Sequence, residues 1–119
     1  MCGIAGFVDP RTPDLEEACR AMARALAHRG PDDAGYYVQR DIGLGLSHRR
    51  LAVVDLSPAG HQPMKSAGGR YEIVFNGEIY NHLDIRRELQ TSDDAPAWRG
   101  HSDTETLLAA IETQNGTRR

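Results

Sequence analysis

Between residues 35 and 55 three strand-like runs follow one another with almost no chain between them: 35 to 40 (GYYVQR), 43 to 49 (GLGLSHR) and 50 to 55 (RLAVVD). Connections this short predict antiparallel pairing through tight turns. A further run, residues 3 to 8 (GIAGFV), is apolar, rich in Gly and ended by the breaker Asp9-Pro10, the pattern of a buried strand with close backbone approach. Residues 71 to 76 (YEIVFN) alternate toward another strand, which stops at the tight-turn pair Asn76-Gly77. Helical periods surround these strands. From about Pro13, Leu15, Cys19, Met22, Ala23 and Leu26 fall on one face, with Asp14, Glu16 and Glu17 in the first turn where the macrodipole favours acids. That helix is expected to stop near His28, and 29 to 35 (RGPDDAG) and 57 to 63 (SPAGHQP) read as loops. Asn81 caps a predicted helix over 82 to 90 with Leu83, Ile85 and Leu89 as its apolar members, followed by a polar loop over 91 to 100. Ser102 and Glu105 form a capping box opening a helix that buries Leu107, Leu108 and Ile111, and the tail 113 to 119 (TQNGTRR) is expected to fray. The pattern is α+β, clustered strands with helices outside them, and 119 residues suffice for one core.

Charge and motif content exclude several function classes. Fourteen Lys and Arg against 17 Asp and Glu, with no block of either sign, leave no footprint for nucleic acid. No apolar run approaches the roughly 18 residues that span a bilayer, and the N-terminus lacks the features of a signal peptide, so no membrane partner and a cytoplasmic location are expected. Cys2 and Cys19 could form only one bridge, which does not describe a secreted disulfide scaffold. His28, His48, His61, His82 and His101 show no metal-ligand spacing, and no glycine motif cradles a phosphate, so neither a metal nor a nucleotide is expected on this chain.

Four places carry possible chemistry. If Met1 is removed, Cys2 presents a thiol and a free α-amino group on one residue, and an α-amine near neutral pH can take the thiol proton without a separate base. The alternative, a cysteine on a frayed terminus, is opposed by the apolar strand that begins at the next residue. Asn76 and the Gly77 amide are the two kinds of donor that build an oxyanion hole, and Glu78 behind them could hold a cation; the alternative is a plain hairpin turn. Asp103 reads either as an ordinary first-turn acid or as a second cation ligand. Arg50, flanked by strand-like segments, is either a solvated charge or a fork for a carboxylate. Cys19, on the apolar helix face, is expected to be buried.

Taken together, MCGIAGF at the start, HRGPDD at 28 to 33, HRRLAVVDLS at 48 to 57, GHQPM at 60 to 64, FNGEIYNH at 75 to 82 and SDTE at 102 to 105 resemble, in order, class II glutamine amidotransferase domains. The nearest resemblance is to the N-terminal glutaminase domain of glutamine-hydrolysing asparagine synthetases, through RLAVVDLS and NGEIYN. It implies an N-terminal-nucleophile hydrolase fold, an αββα sandwich of antiparallel sheets, of which residues 1–119 are a single partial domain with a truncated second sheet. It makes Cys2 the nucleophile on the glutamine side-chain amide and Asn76 and Gly77 the oxyanion donors. Arg50 would bind the α-carboxylate, Glu78 and Asp103 the α-ammonium, and backbone groups of Leu51 and Val53 would line the pocket. The implied partners are L-glutamine and a synthetase domain or subunit, with a homo-oligomer compatible with the resemblance, and ATP and Mg2+ are needed only by the synthetase domain. Two alternatives remain at this stage: a non-catalytic truncated fragment or assembly subunit, and a glutaminase serving another acceptor.

Overall fold

A computed structural model describes residues 2–51, 58–92 and 95–116. The described residues fall into two compact units, one of 2–51 with 61–63 and 74–76, the other of 58–60, 64–73, 77–92 and 95–116. The chain is α+β and its sheets are antiparallel.

The first unit is a three-stranded sheet with one helix against it. Strand β1 (Gly3–Val8), helix α1 (Leu15–Ala25), strand β2 (Asp33–Gln39) and strand β3 (Leu44–Arg50) follow in sequence, and β3 lies central in the order β1-β3-β2. Both pairings are antiparallel, Gly3 opposite Arg49 and Asp33 opposite Arg50 at one end, Val8 and Gln39 opposite Leu44 at the other. Asp14 caps α1 by accepting the Glu17 N–H, and Glu16 and Glu17 occupy the first turn. Leu15, Cys19 and Ala23 are its buried residues. The sheet meets α1 through its smallest side chains: a Cβ on Gly45 would come within 2.8 Å of Cys19 Sγ, and the fully buried Ser47 hydroxyl donates to the Cys19 carbonyl at 2.8 Å. Burial pushes the Cys19 thiol pKa up, as expected for a packed and inert cysteine. Ile4 and Val8 lie on the other face of β1 and are 45% and 66% exposed.

The second unit carries a minimal hairpin of β4 (Met64–Lys65) and β5 (Glu72–Ile73) and the helices α2 (His82–Gln90) and α3 (Asp103–Gly116). Ser66 closes the hairpin: its hydroxyl accepts the Arg70 and Tyr71 N–H groups, and Gly69 takes the positive φ of 73° that the turn requires. The core of this unit is largely polar, with Ser66, Arg86, Thr104, Glu105 and Thr106 buried beside Met64 and Leu108.

Several expectations need correction. The strand expected over 35 to 40 begins at Asp33, inside the stretch read as loop, because Asp33 pairs across to Arg50. Arg50 ends β3 rather than opening a separate strand, and the remainder of the 50 to 55 run beyond Leu51 lies outside the described residues. Residues 71 to 76 reduce to the two-residue β5, since the Phe75 N–H donates at 2.7 Å to the Gln62 side chain instead of a neighbouring strand. The 57 to 63 loop contains a 3-10 turn, Pro58–Gly60. Asn81 stands at the N-cap of α2 without a side-chain capping bond, and the buried residue of that helix is Arg86, while Leu83 is 58% exposed. In α3 Leu108 is buried but Leu107 and Ile111 only partly so, and the helix continues through the residues 113 to 116 expected to fray.

Candidate active site

Backbone pairing alone brings three chemically capable side chains to one end of the first sheet. Residues directly opposite in an antiparallel ladder point to the same face. Gly45 and Ser47 face α1, so Arg50, His48, Leu46 and Leu44 face away from it. Continuing the β1–β3 register one step beyond Gly3 and Arg49 sets Cys2 level with Arg50, and Arg50 is in turn opposite Asp33. The row across the strand ends therefore reads Cys2, Arg50, Asp33.

Cys2 is half-buried and held on both sides. The Leu51 N–H donates to its Sγ at 3.3 Å, the thiol lies 3.7 Å from the Leu51 carbonyl, and Arg29 Nε donates to the Cys2 carbonyl at 3.3 Å. Gly30 makes the neighbouring contact possible, since a Cβ there would come within 2.5 Å of the Arg49 backbone. Arg50 is 8% exposed, a burial that a guanidinium reaches only with polar company.

Segments 61–63 and 74–76 cover this end of the face. A Cβ on Gly35 would stand 2.1 Å from the Gln62 carbonyl oxygen and 2.7 Å from His61 Nε2, so the glycine is the seat on which His61 and Gln62 rest. Gln62 Oε1 accepts the Phe75 N–H, and the buried His48 hydrogen-bonds the Phe75 backbone, which fixes the residue preceding Asn76. His48 has its pKa lowered, chiefly by burial, with the charges of His61 and Arg50 acting the same way; the Phe75 bond and Asp33 oppose this. Asn76 itself is exposed.

In the second unit Asp103 opens α3, and its Oδ2 accepts the Ile79 N–H at 2.8 Å, tying the Gly77–Tyr80 loop to the helix start. Glu78 and Gly77 are exposed on that loop. The capping box is half realised: the Ser102 hydroxyl accepts the Glu105 N–H at 3.2 Å, while the Glu105 carboxylate turns to the Arg99 and Gly100 N–H groups. A cavity of about 420 Å³ in this unit, lined by Lys65, Trp98, Arg99, Leu108 and Glu112 among others, contains none of the expected site residues.

The structure thus gathers Cys2, Arg50 and Leu51 in one unit and joins Asp103 to the loop carrying Glu78 in the other, and Val53 lies outside the described residues. Sequence reasoning gave no role to Arg29, Asp33, His61 or Gln62. The readable signal was Gly35 inside a strand pattern, which marks close backbone approach. Among the described residues no group of three or more His, Cys, Asp or Glu could hold a metal ion, and no helix is long and apolar enough to cross a membrane.

A sequence model described as a glutamine amidotransferase domain matches residues 1–118. Asparagine synthetase [glutamine-hydrolyzing] 3 of Bacillus subtilis is 41% identical over 117 residues, covering 91% of this chain and 17% of the relative. Asparagine synthetase [glutamine-hydrolyzing] 1 of the same organism is 39% identical over 113 residues, covering 92% of this chain and 17% of its own length. Amidase chry2 of Gibberella zeae is 34% identical over 120 residues, again 92% of this chain and 17% of the relative. The chain therefore spans about a sixth of the length of these relatives. A match over nearly every residue, on a chain whose second residue is a cysteine held at a strand end beside a buried arginine, settles the assignment: the chain belongs to the glutamine amidotransferase domain family.

Proposed function

We propose that this chain is the glutamine-hydrolysing part of an asparagine synthetase-like enzyme, with Cys2 as nucleophile once Met1 is removed. The observation that carries the reading is the Leu51 N–H directed at Cys2 Sγ beside Arg50, at the end of a fully paired strand. The α-amine of Cys2 takes the thiol proton, and Sγ attacks the side-chain amide carbon of L-glutamine. Asn76 and the Gly77 N–H stabilise the oxyanion. The tetrahedral adduct collapses to a γ-glutamyl thioester as the proton held by the α-amine passes to the departing nitrogen, releasing ammonia. Water then cleaves the thioester to glutamate and restores the thiol. In this scheme Arg50 takes the α-carboxylate, Glu78 and Asp103 take the α-ammonium, and backbone groups of Leu51 and Val53 line the substrate. Fixed hydrogen bonds of this kind reject analogues that lack the group. The ammonia serves ATP-dependent amidation of aspartate at a synthetase domain or subunit, where ATP and Mg2+ act. The fold proposed for the complete domain is the αββα sandwich of N-terminal-nucleophile hydrolases.

A second reading, a non-catalytic assembly piece, is favoured by the exposed Ile4 and Val8 on the sheet face turned away from α1. Glutamate release from L-glutamine at neutral pH, measured for wild type and Cys2→Ala together, decides between them. Turnover lost in Cys2→Ala with unchanged circular dichroism is the expected result. Residual turnover in that variant refutes the nucleophile assignment, and an intact mass retaining Met1 in an active preparation refutes the role of the α-amine.

A further inference from the structure

Asn76 stands at the end of a segment that no strand holds. Strand β5 stops at Ile73, and among the described residues no ladder pairs with 74–76. Side chains tie the main chain there instead. Gln62 Oε1 accepts the Phe75 N–H at 2.7 Å, the short end of the range for such a bond. The His48 ring bonds the Phe75 backbone in the sense that favours a protonated ring, so its N–H donates and the Phe75 carbonyl accepts. Both polar main-chain groups of Phe75 are thus taken by side chains, one peptide ahead of Asn76.

The sheet fixes both anchors. His48 lies fully buried on the central strand β3, opposite Ile4 and Gly35, and shares its face with Arg50 two residues on. Gln62 is 7% exposed, and its carbonyl oxygen rests over Gly35, where a Cβ would come within 2.1 Å. A residue needed only to fill this space would be apolar, since a buried amide costs free energy unless it is bonded. The glutamine supplies what an apolar side chain cannot, an acceptor for a main-chain N–H that lies outside any ladder. Asn76 itself is exposed, so packing does little to place its side chain and the peptide behind it does most.

We propose that Gln62 is a positioning residue for the oxyanion donor: by holding the Phe75 N–H from the sheet face that carries Arg50, it sets where the Asn76 side chain stands as the tetrahedral adduct forms. The proposal rests on the reading of Cys2 as nucleophile and Asn76 as oxyanion donor. Gln62 touches none of the reacting atoms and acts through Phe75.

The test uses the full chain, with kcat and KM for L-glutamine, calorimetric Kd for L-glutamate and circular dichroism measured for each variant. Removing an oxyanion donor outright costs about 100- to 1,000-fold in kcat, and a misplacement of about 1 Å up to about 100-fold. Gln62→Met, similar in length but with no acceptor oxygen, is therefore expected to lower kcat by about 10- to 100-fold while KM and the glutamate Kd change by less than about twofold. Gln62→Glu keeps an oxygen at the same reach and should recover most of the rate. In an Asn76→Ala background Gln62→Met should cost no more than about twofold, because the donor it positions is already gone. Hydrogen exchange at the Phe75 amide, followed by NMR without substrate, should quicken by at least about tenfold in Gln62→Met. Should Gln62→Met lose the fold, Gln62→Asn takes its place, since it keeps the amide and withdraws the oxygen by one methylene.

A kcat within about threefold of wild type in the folded variant overturns the proposal, as do unaltered Phe75 exchange, losses that add in the double variant, or a loss carried by KM and glutamate affinity. Cys2-dependent hydrolysis in the same preparations then leaves the glutaminase reading standing. Asn76→Ala with full turnover overturns the oxyanion assignment and the proposal together, and wild type without turnover overturns the glutaminase reading with them.

Discussion

Truncating Arg86 is expected to cost the second unit more than any surface change, because one guanidinium holds three backbone and side-chain positions at once. Its Nε donates to Thr106 Oγ1 at 2.7 Å, Nη1 to the Gly100 carbonyl at 2.9 Å and Nη2 to the Ser102 carbonyl at 2.9 Å. Glu105 Oε1 stands 3.9 Å from Nη2, and the Trp98 ring centroid lies 4.1 Å from Cζ. Only 9% of the residue is exposed. Arg86→Ala leaves two carbonyls, a hydroxyl and a nearly buried carboxylate without the cation that served them, and removing one member of a buried pair costs about 3–5 kcal/mol. Glu105 keeps the Arg99 and Gly100 N–H groups, and the Thr106 hydroxyl can still reach the Ser102 carbonyl, 3.4 Å away, which places the loss toward the lower end of that range. Against a domain stability of about 5–15 kcal/mol this is a large fraction. With a urea m-value of about 2 kcal/mol/M, the unfolding midpoint should fall by about 1.5–2 M. Trp98 is the chain's single tryptophan and stacks on the residue removed, so its fluorescence, followed beside far-UV circular dichroism, reports the transition. Arg86→Lys keeps the charge but not the planar fork, and should lose about half as much. The reasoning fails if Arg86→Ala melts within about 0.5 kcal/mol of wild type, or if the lysine variant is as damaged as the alanine one.

Two further perturbations test the first unit. Gly35→Ala forces a Cβ to within 2.1 Å of the Gln62 carbonyl, so the 61–63 segment must lift, at a cost of about 1–3 kcal/mol and a Tm drop of at least about 5 °C; an unchanged Tm would show that the seat is slack. His48 has a native pKa below its unfolded value of 6.5, so the unfolded chain binds its proton first and stability is lost as pH falls through and below about 6.5. Imidazole shifts followed by NMR should place half-protonation of His48 below 6.5, and half-protonation at or above 6.5 would contradict the burial argument.

What could be read in the sequence follows the range of the interactions involved. Helix α1 was legible because its apolar period and its first-turn acids are local, although Asp14, read as one of those acids, is the N-cap, and Cys19 is buried as its place on the apolar face requires. Strands β1, β2 and β3 were legible to within a residue or two for the same reason. The run 71 to 76 misled because its residues suit a strand, while its N–H at Phe75 is claimed by Gln62, a partner thirteen residues away that no local pattern reveals. Arg86 was invisible for a related reason: a charged residue on a predicted helix reads as solvated, and only the fold supplies the two carbonyls, Thr106 and Trp98 that enclose it. At the candidate site Cys2 and Arg50 could be singled out from residue chemistry and family resemblance, but Asp33 and His61 acquire meaning only through the pairing of β2 with β3.

The placement of Cys2 also bears on the order of events during synthesis. Every residue of β1 is paired, and every one of those partners lies in 44–49, so β1 has no sheet to join until a segment about 36 to 46 residues later has emerged. Contacts so distant in sequence form late. The Leu51 N–H that meets Cys2 Sγ arrives with that same segment. The Cys2 side chain thus gains its contacts with Leu51, and its half-buried surroundings, only once that later segment has joined the sheet.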